Sequence, residues 1–136
     1  YQAVQMKVGL LLLFFFLSSS LFAKEIHLIG TIEIENKSRE IVIYSLKENY
    51  KLIIGNNCTY DVKTITSPQA MRKREGQIQS FLEGCIKKDS KSDILNKIEY
   101  IAIHYRFSEA RKFKGEYLGR TKKSAVSGTV NLRLHQ

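Results

Sequence analysis

An alternation of apolar and polar residues over positions 26–35 constrains this chain more than any other feature. The even positions read Ile26, Leu28, Gly30, Ile32 and Ile34, while His27, Thr31, Glu33 and Glu35 fall on the odd ones. A period of two is the mark of a strand with one face buried and the other wet. Asn36 to Glu40 is polar and predicts a turn. Residues 41–46, IVIYSL, are apolar on both parities and β-branched, which suits a strand covered on both faces. Lys47, Glu48 and Asn49 turn the chain again. Tyr50 to Ile54 forms a third strand, stopped by Gly55, Asn56 and Asn57. A three-stranded meander leaves two open edges, and closing the sheet into a barrel removes them.

The remaining segments supply candidates for that closure. Residues 58–67 are polar with scattered apolar side chains, Val62 and Ile65 among them, and predict at most a short irregular strand. Ser67 and Pro68 resemble an N-cap followed by the first helical position, so residues 68–75 predict a short helix ended by Gly76. Residues 77–87 read as strand on parity (Ile78, Ser80, Leu82, Gly84, Ile86) and as helix on a 3.6 period. Gly76 and Gly84 favour the strand. After a charged turn at 88–93, residues 94–107 predict one long strand. Residues 108–123 are basic and broken by Gly115 and Gly119, with a single helical turn expected over 108–113. Residues 125–134 form a closing strand with Val126, Gly128, Val130, Leu132 and Leu134 on one parity and Arg133 on the other. The fold class expected is mainly β: a small closed antiparallel barrel with one short helix. The alternative is an α+β antiparallel sheet with residues 68–87 as one longer helix.

The N-terminus resembles an export signal. Met6 and Lys7 precede an apolar run at 8–17, and Ser18 to Ala23 offers small residues for cleavage after Ala23. Residues 1–5 are expected to come from an upstream misread. The apolar run is shorter than the ~20 residues of a spanning helix. Residues 24–136 are then a single mature domain, periplasmic or secreted, and removing 23 of the 136 residues leaves 113. Cys58 and Cys85 predict one disulfide in an oxidising compartment. Closing a loop of that length is worth about 3–4 kcal/mol on the chain-entropy account. Residues 24–100 hold 13 basic and 11 acidic side chains, whereas 101–136 hold 8 and 2, so the positive charge is a C-terminal property.

Gly30-Thr31-Ile32 in a long first strand, a helix between strands three and four, and Leu82-Glu83-Gly84-Cys85-Ile86 followed by a charged turn and Lys97-Ile98-Glu99-Tyr100-Ile101 give a chain that resembles bacterial exported OB-type (oligonucleotide/oligosaccharide-binding) barrel proteins over about residues 26–107. The resemblance implies a small barrel that binds ligands on the face of its second and third strands, where Tyr44, Tyr50 and Lys51 lie.

No catalytic motif accompanies these patterns. His27, His104 and His135 show no metal-ligand spacing, and no nucleophile elbow or phosphate-binding glycine loop is present. Glu33 and Glu35 share the wet face of a strand and read as solvated side chains. The expectation is a non-enzyme without metal or cofactor. Residues 105–123 interleave Tyr105, Phe107, Phe113 and Tyr117 with Arg106, Arg111, Lys112, Lys114, Arg120, Lys122 and Lys123. Such a mixture can stack on rings and hold anions, or pack its aromatics inward and leave its cations to solvent, which is the preferred reading. The functional expectation is a small exported binding or structural module. Its partners would be an anionic glycan, a lipid head group or an acidic protein, nucleic acid being disfavoured by export. The alternative is a secreted effector or inhibitor that docks on a protein.

Overall fold

The computed structural model describes residues 24–66, 75–86 and 93–135. Eight strands follow one another: β1 (Glu25–Ile34), β2 (Lys37–Leu46), β3 (Asn49–Ile54), β4 (Cys58–Ile65), β5 (Glu75–Cys85), β6 (Tyr100–Glu109), β7 (Lys112–Arg120) and β8 (Ala125–Leu134). Each pairs with its neighbours in sequence, and β8 pairs with β1 to close the barrel. All pairings are antiparallel; the closing one matches Leu28 with Leu134 and Ile32 with Val130. The predicted closed antiparallel barrel is therefore present. Its eight strands in next-neighbour order make it an up-and-down barrel, where the OB type has five. The predicted export segment and residues 68–74 of the predicted short helix lie outside the described residues.

The meander forms because its turns are tight. Glu35 and Asn36 both adopt positive φ (51° and 64°), the requirement of a two-residue hairpin turn whose twist matches the flanking strands. β2 consequently starts at Lys37, and the five-residue turn expected over 36–40 is reduced to two. Even positions of β1 from Leu28 onward point inward, as alternation predicted. Ile41, Ile43, Leu52 and Ile54 continue the core across β2 and β3.

Four expectations are corrected. Residues 58–65 form a full strand, β4, longer than expected, with Cys58 and Tyr60 buried on its inward parity; it is irregular as expected, its register against β5 shifting between Thr59 and Tyr60 and between Val62 and Thr64. Residues 75–85 are strand throughout, so the long-helix alternative is overturned and Glu75 opens β5 instead of ending a helix. The single strand expected over 94–107 is divided: Ile94–Lys97 is a 3₁₀ turn and the strand begins at Tyr100. Residues 112–120 are a strand with perfect alternation of exposed and buried positions, not a broken basic loop. The glycines there sit inward, where neighbours come too close for a side chain. A Cβ on Gly115 would lie 2.0 Å from the His104 carbonyl oxygen, and one on Gly119 would meet the Ile98 side chain at 3.1 Å.

The interior is filled by Ile, Leu and Tyr side chains. Three buried hydroxyls satisfy backbone carbonyls: Tyr60 donates to Ile98, Ser80 to Ile101, and Tyr117 to Glu33 at 2.6 Å. Burial raises the Tyr60 and Tyr105 hydroxyl pKa values well above the ordinary tyrosine range. The 3₁₀ turn seals one end of the barrel with Leu95 and Ile98, both fully buried. Asp93 caps that turn by accepting from the Leu95 amide, and it also takes two hydrogen bonds from the Arg39 guanidinium at 2.7 Å each. Cys58 and Cys85 face each other across β4 and β5 at the same end and form the expected disulfide. The outer faces carry Gln77, His104, Glu116 and Thr129 at mid-strand. That is a water-facing exterior, the reverse of a barrel that spans a bilayer. Among the described residues no helix is long and apolar enough to cross a membrane.

Candidate functional site

The aromatics and cations of residues 105–123 separate by parity. Tyr105, Phe113 and Tyr117 point inward and are buried; Phe107 alone of the four is half-exposed. Tyr117 cannot meet a ligand, since its hydroxyl is committed to Glu33. The cations stand outside, but the fold divides them. Lys112 and Lys122 are ten residues apart along an extended hairpin, about 30 Å at strand rise. Lys122 and Lys123 belong to the plugged end, where with Lys97 they rim a hollow of about 540 Å³ beside the 3₁₀ turn. Arg120 lies next to that end, opposite Tyr100. Arg111 occupies the tight turn between β6 and β7, with φ of 65°.

Register gathers the rest. Arg106 on β6 faces Lys114 on β7, and Lys112 on β7 faces Arg133 on β8. Lys112 and Lys114 are two residues apart on one strand face, so four cations form a quadrilateral. Arg106 reaches Glu116 at 3.4 Å and Lys112 reaches Glu109 at 3.3 Å. Lys114 and Arg133 pair with no described carboxylate. A groove of about 260 Å³ runs beside the cluster, lined by Lys112, Lys114, Arg133, Asn131, Thr31 and Ser108. Arg133 had been visible only as a polar position on β8; nothing local tied it to Lys112.

Tyr44 and Lys51 face each other across β2 and β3, whereas Tyr50, opposite Ser45, lies on the other face. Tyr44 is 8% exposed, with the Lys24 ammonium over its ring at 4.8 Å. Tyr50 packs against the His27 ring, 5.2 Å between centroids. Lys51 bonds to Glu83 and Asp61, and Asp61 also holds Lys63. This network is neutral overall. The Glu83 hydrogen bond raises the Lys51 pKa, and Lys63 with Lys51 keeps the Asp61 carboxyl below the usual carboxylate range.

Two further constellations were not read from sequence. His27 Nε2 lies 2.8 Å from Ser45 Oγ. A hydroxyl beside an imidazole is the contact of a nucleophile with its base. Here Ser45 is 7% exposed, and His27 sits at the register shift where β1 bulges against β2. The contact ties β1 to β2 at the bulge. The second is an aromatic pair on the outer face: exposed Phe81 on β5 faces half-buried Tyr100 on β6, with ring centroids 5.0 Å apart. Among the described residues no three His, Cys, Asp or Glu side chains are placed to hold a metal ion. No protein-family model matches this chain, and no curated protein or solved structure matches it either.

Proposed function

We propose that this protein is a small exported, disulfide-closed barrel without a catalytic role, which binds carboxylate- or phosphate-bearing ligands at the cluster of Arg106, Lys112, Lys114 and Arg133. One observation carries the proposal: two like-charged pairs face each other directly across three adjacent strands. Directly opposed like charges destabilise a sheet. An anion seated between them removes that cost and gains charge-assisted hydrogen bonds. The filled interior leaves the outer surface as the place for a ligand. The Cys58–Cys85 disulfide and the leader-like residues 6–23 support an oxidising compartment.

The test is binding of phosphatidylglycerol vesicles and of an oligogalacturonate hexamer to the wild-type protein and to a Lys114→Glu, Arg133→Glu variant, at low and physiological salt. The wild type should bind at least one of the two probes, more weakly as salt rises, and the variant should lose at least tenfold in affinity. Equal binding by both proteins removes the cluster as the site.

A further inference from the structure

The geometry points to an acidic oligosaccharide as the ligand, lying along the outer face of β5, β6 and β7; we infer this from four consecutive cross-strand rows, and it rests on the anion-binding reading above. The first row is Phe81, Tyr100 and Arg120. Phe81 is 48% exposed and its ring stands against Tyr100, so the two form a ledge of aromatic surface with a guanidinium at its side. The next row is Gln79, Ala102 and Leu118, with Leu118 also exposed. The third is Gln77, His104 and Glu116, and the fourth is Glu75, Arg106 and Lys114. A shallow depression of about 250 Å³ occupies the middle of the strip, between Gln77, Gln79, His104 and Glu116.

The chemistry changes along the strip in the way a sugar chain requires. A pyranose presents an apolar C–H face that stacks on an aromatic ledge. Its hydroxyls both donate and accept, and amides, an imidazole and carboxylates answer both functions. Its acid groups need cations, supplied by Arg120 at one end and by Arg106 with Lys114 at the other. Six residues of strand separate Tyr100 from Arg106, about 20 Å at strand rise, the length of a short oligosaccharide.

The experiment titrates the full chain with an oligogalacturonate hexamer, with the neutral glucose hexamer and with phosphatidylglycerol vesicles. The acidic hexamer should bind at least tenfold more tightly than the neutral one. A Phe81→Ala, Tyr100→Ala variant should weaken the acidic hexamer at least tenfold while changing vesicle binding less than twofold. Melting curves of the variant establish that it folds. In the wild type, magnetisation transfer from aromatic ring protons to sugar protons gives a readout that needs no substitution. An Arg106→Glu, Lys114→Glu variant tests the cation row by itself. Loss of hexamer binding in that variant alone, with the aromatic variant unaffected, overturns the oligosaccharide inference and leaves the anion-binding proposal standing. Hexamer binding unaffected by the cation reversal overturns both. Vesicles bound in place of the hexamer, or an absence of magnetisation transfer, overturns the oligosaccharide inference.

Discussion

Replacing Asp93 by Asn should destabilise the barrel at neutral pH and leave it unchanged in acid. Asp93 joins the 3₁₀ turn to the wall: its carboxylate accepts from the Leu95 amide and takes both terminal nitrogens of Arg39, 54 residues away in sequence. The two side chains are only 16% and 17% exposed. Asn retains the shape and the cap but not the charge, and it leaves a guanidinium whose Nε has no hydrogen-bond partner among the described residues. Removing one member of a fully buried pair costs 3–5 kcal/mol, so about 2–3 kcal/mol is expected at this partial exposure. The Arg39 hydrogen bonds hold the Asp93 carboxyl below the usual carboxylate range, against the opposing effect of burial. A depressed folded-state pKa contributes stability that is complete above the unfolded value, about 3.9, and is lost as pH falls through the folded value. Wild-type Asp93, once protonated, resembles the Asn variant, so the gap between the two proteins should close in acid. Urea unfolding at pH 7 and at about pH 2.5 measures it, with the disulfide kept intact. A deficit below about 0.5 kcal/mol at pH 7, or one equally large in acid, would refute the role given to the charge.

Tyr117→Phe keeps the ring and leaves the Glu33 carbonyl without its donor, costing about 1 kcal/mol and lowering the melting temperature by roughly 4 °C. Vesicle and hexamer binding should be unchanged; a variant that melted normally but bound more weakly would return Tyr117 to the ligand site. Gly115→Ala should cost at least about 2 kcal/mol, because its Cβ would overlap the His104 carbonyl and backbone must shift. Gly84→Ala, with nothing within 4 Å, should be neutral or stabilising by about 0.5–1 kcal/mol. Unfolding midpoints that ranked the two alanines the other way would contradict the packing described for β7.

Much of the barrel is legible along the chain because strand parity is a local property. Alternation in β1 and β8 marks their buried faces directly, and the two cysteines sit opposite each other as an exported chain with one pair would place them. Residues 112–120 conceal their alternation. Their inward positions are Phe, Gly, Tyr and Gly, and glycine reads as a breaker wherever the partner strand is unknown. Only the approach of the His104 carbonyl and the Ile98 side chain shows why those two sites must be small. Residues 94–97 have the composition of a strand, yet the barrel needs a plug at that point, and the Asp93–Arg39 pair with buried Leu95 provides it.

The sequence by itself determined a mainly β architecture, a disulfide, and a positive C-terminal segment, since alternation, cysteine count and charge are each readable without knowing what lies opposite. Tertiary structure decided which of those charges act together. Closure and register set Lys112 against Arg133 and Arg106 against Lys114, send Lys122 and Lys123 to the far end, and bring Phe81 beside Tyr100. A ligand meets neighbours in space. In a barrel those neighbours are set by hydrogen-bonded pairing between strands, and a single-residue slip would have turned every one of these side chains to the other face.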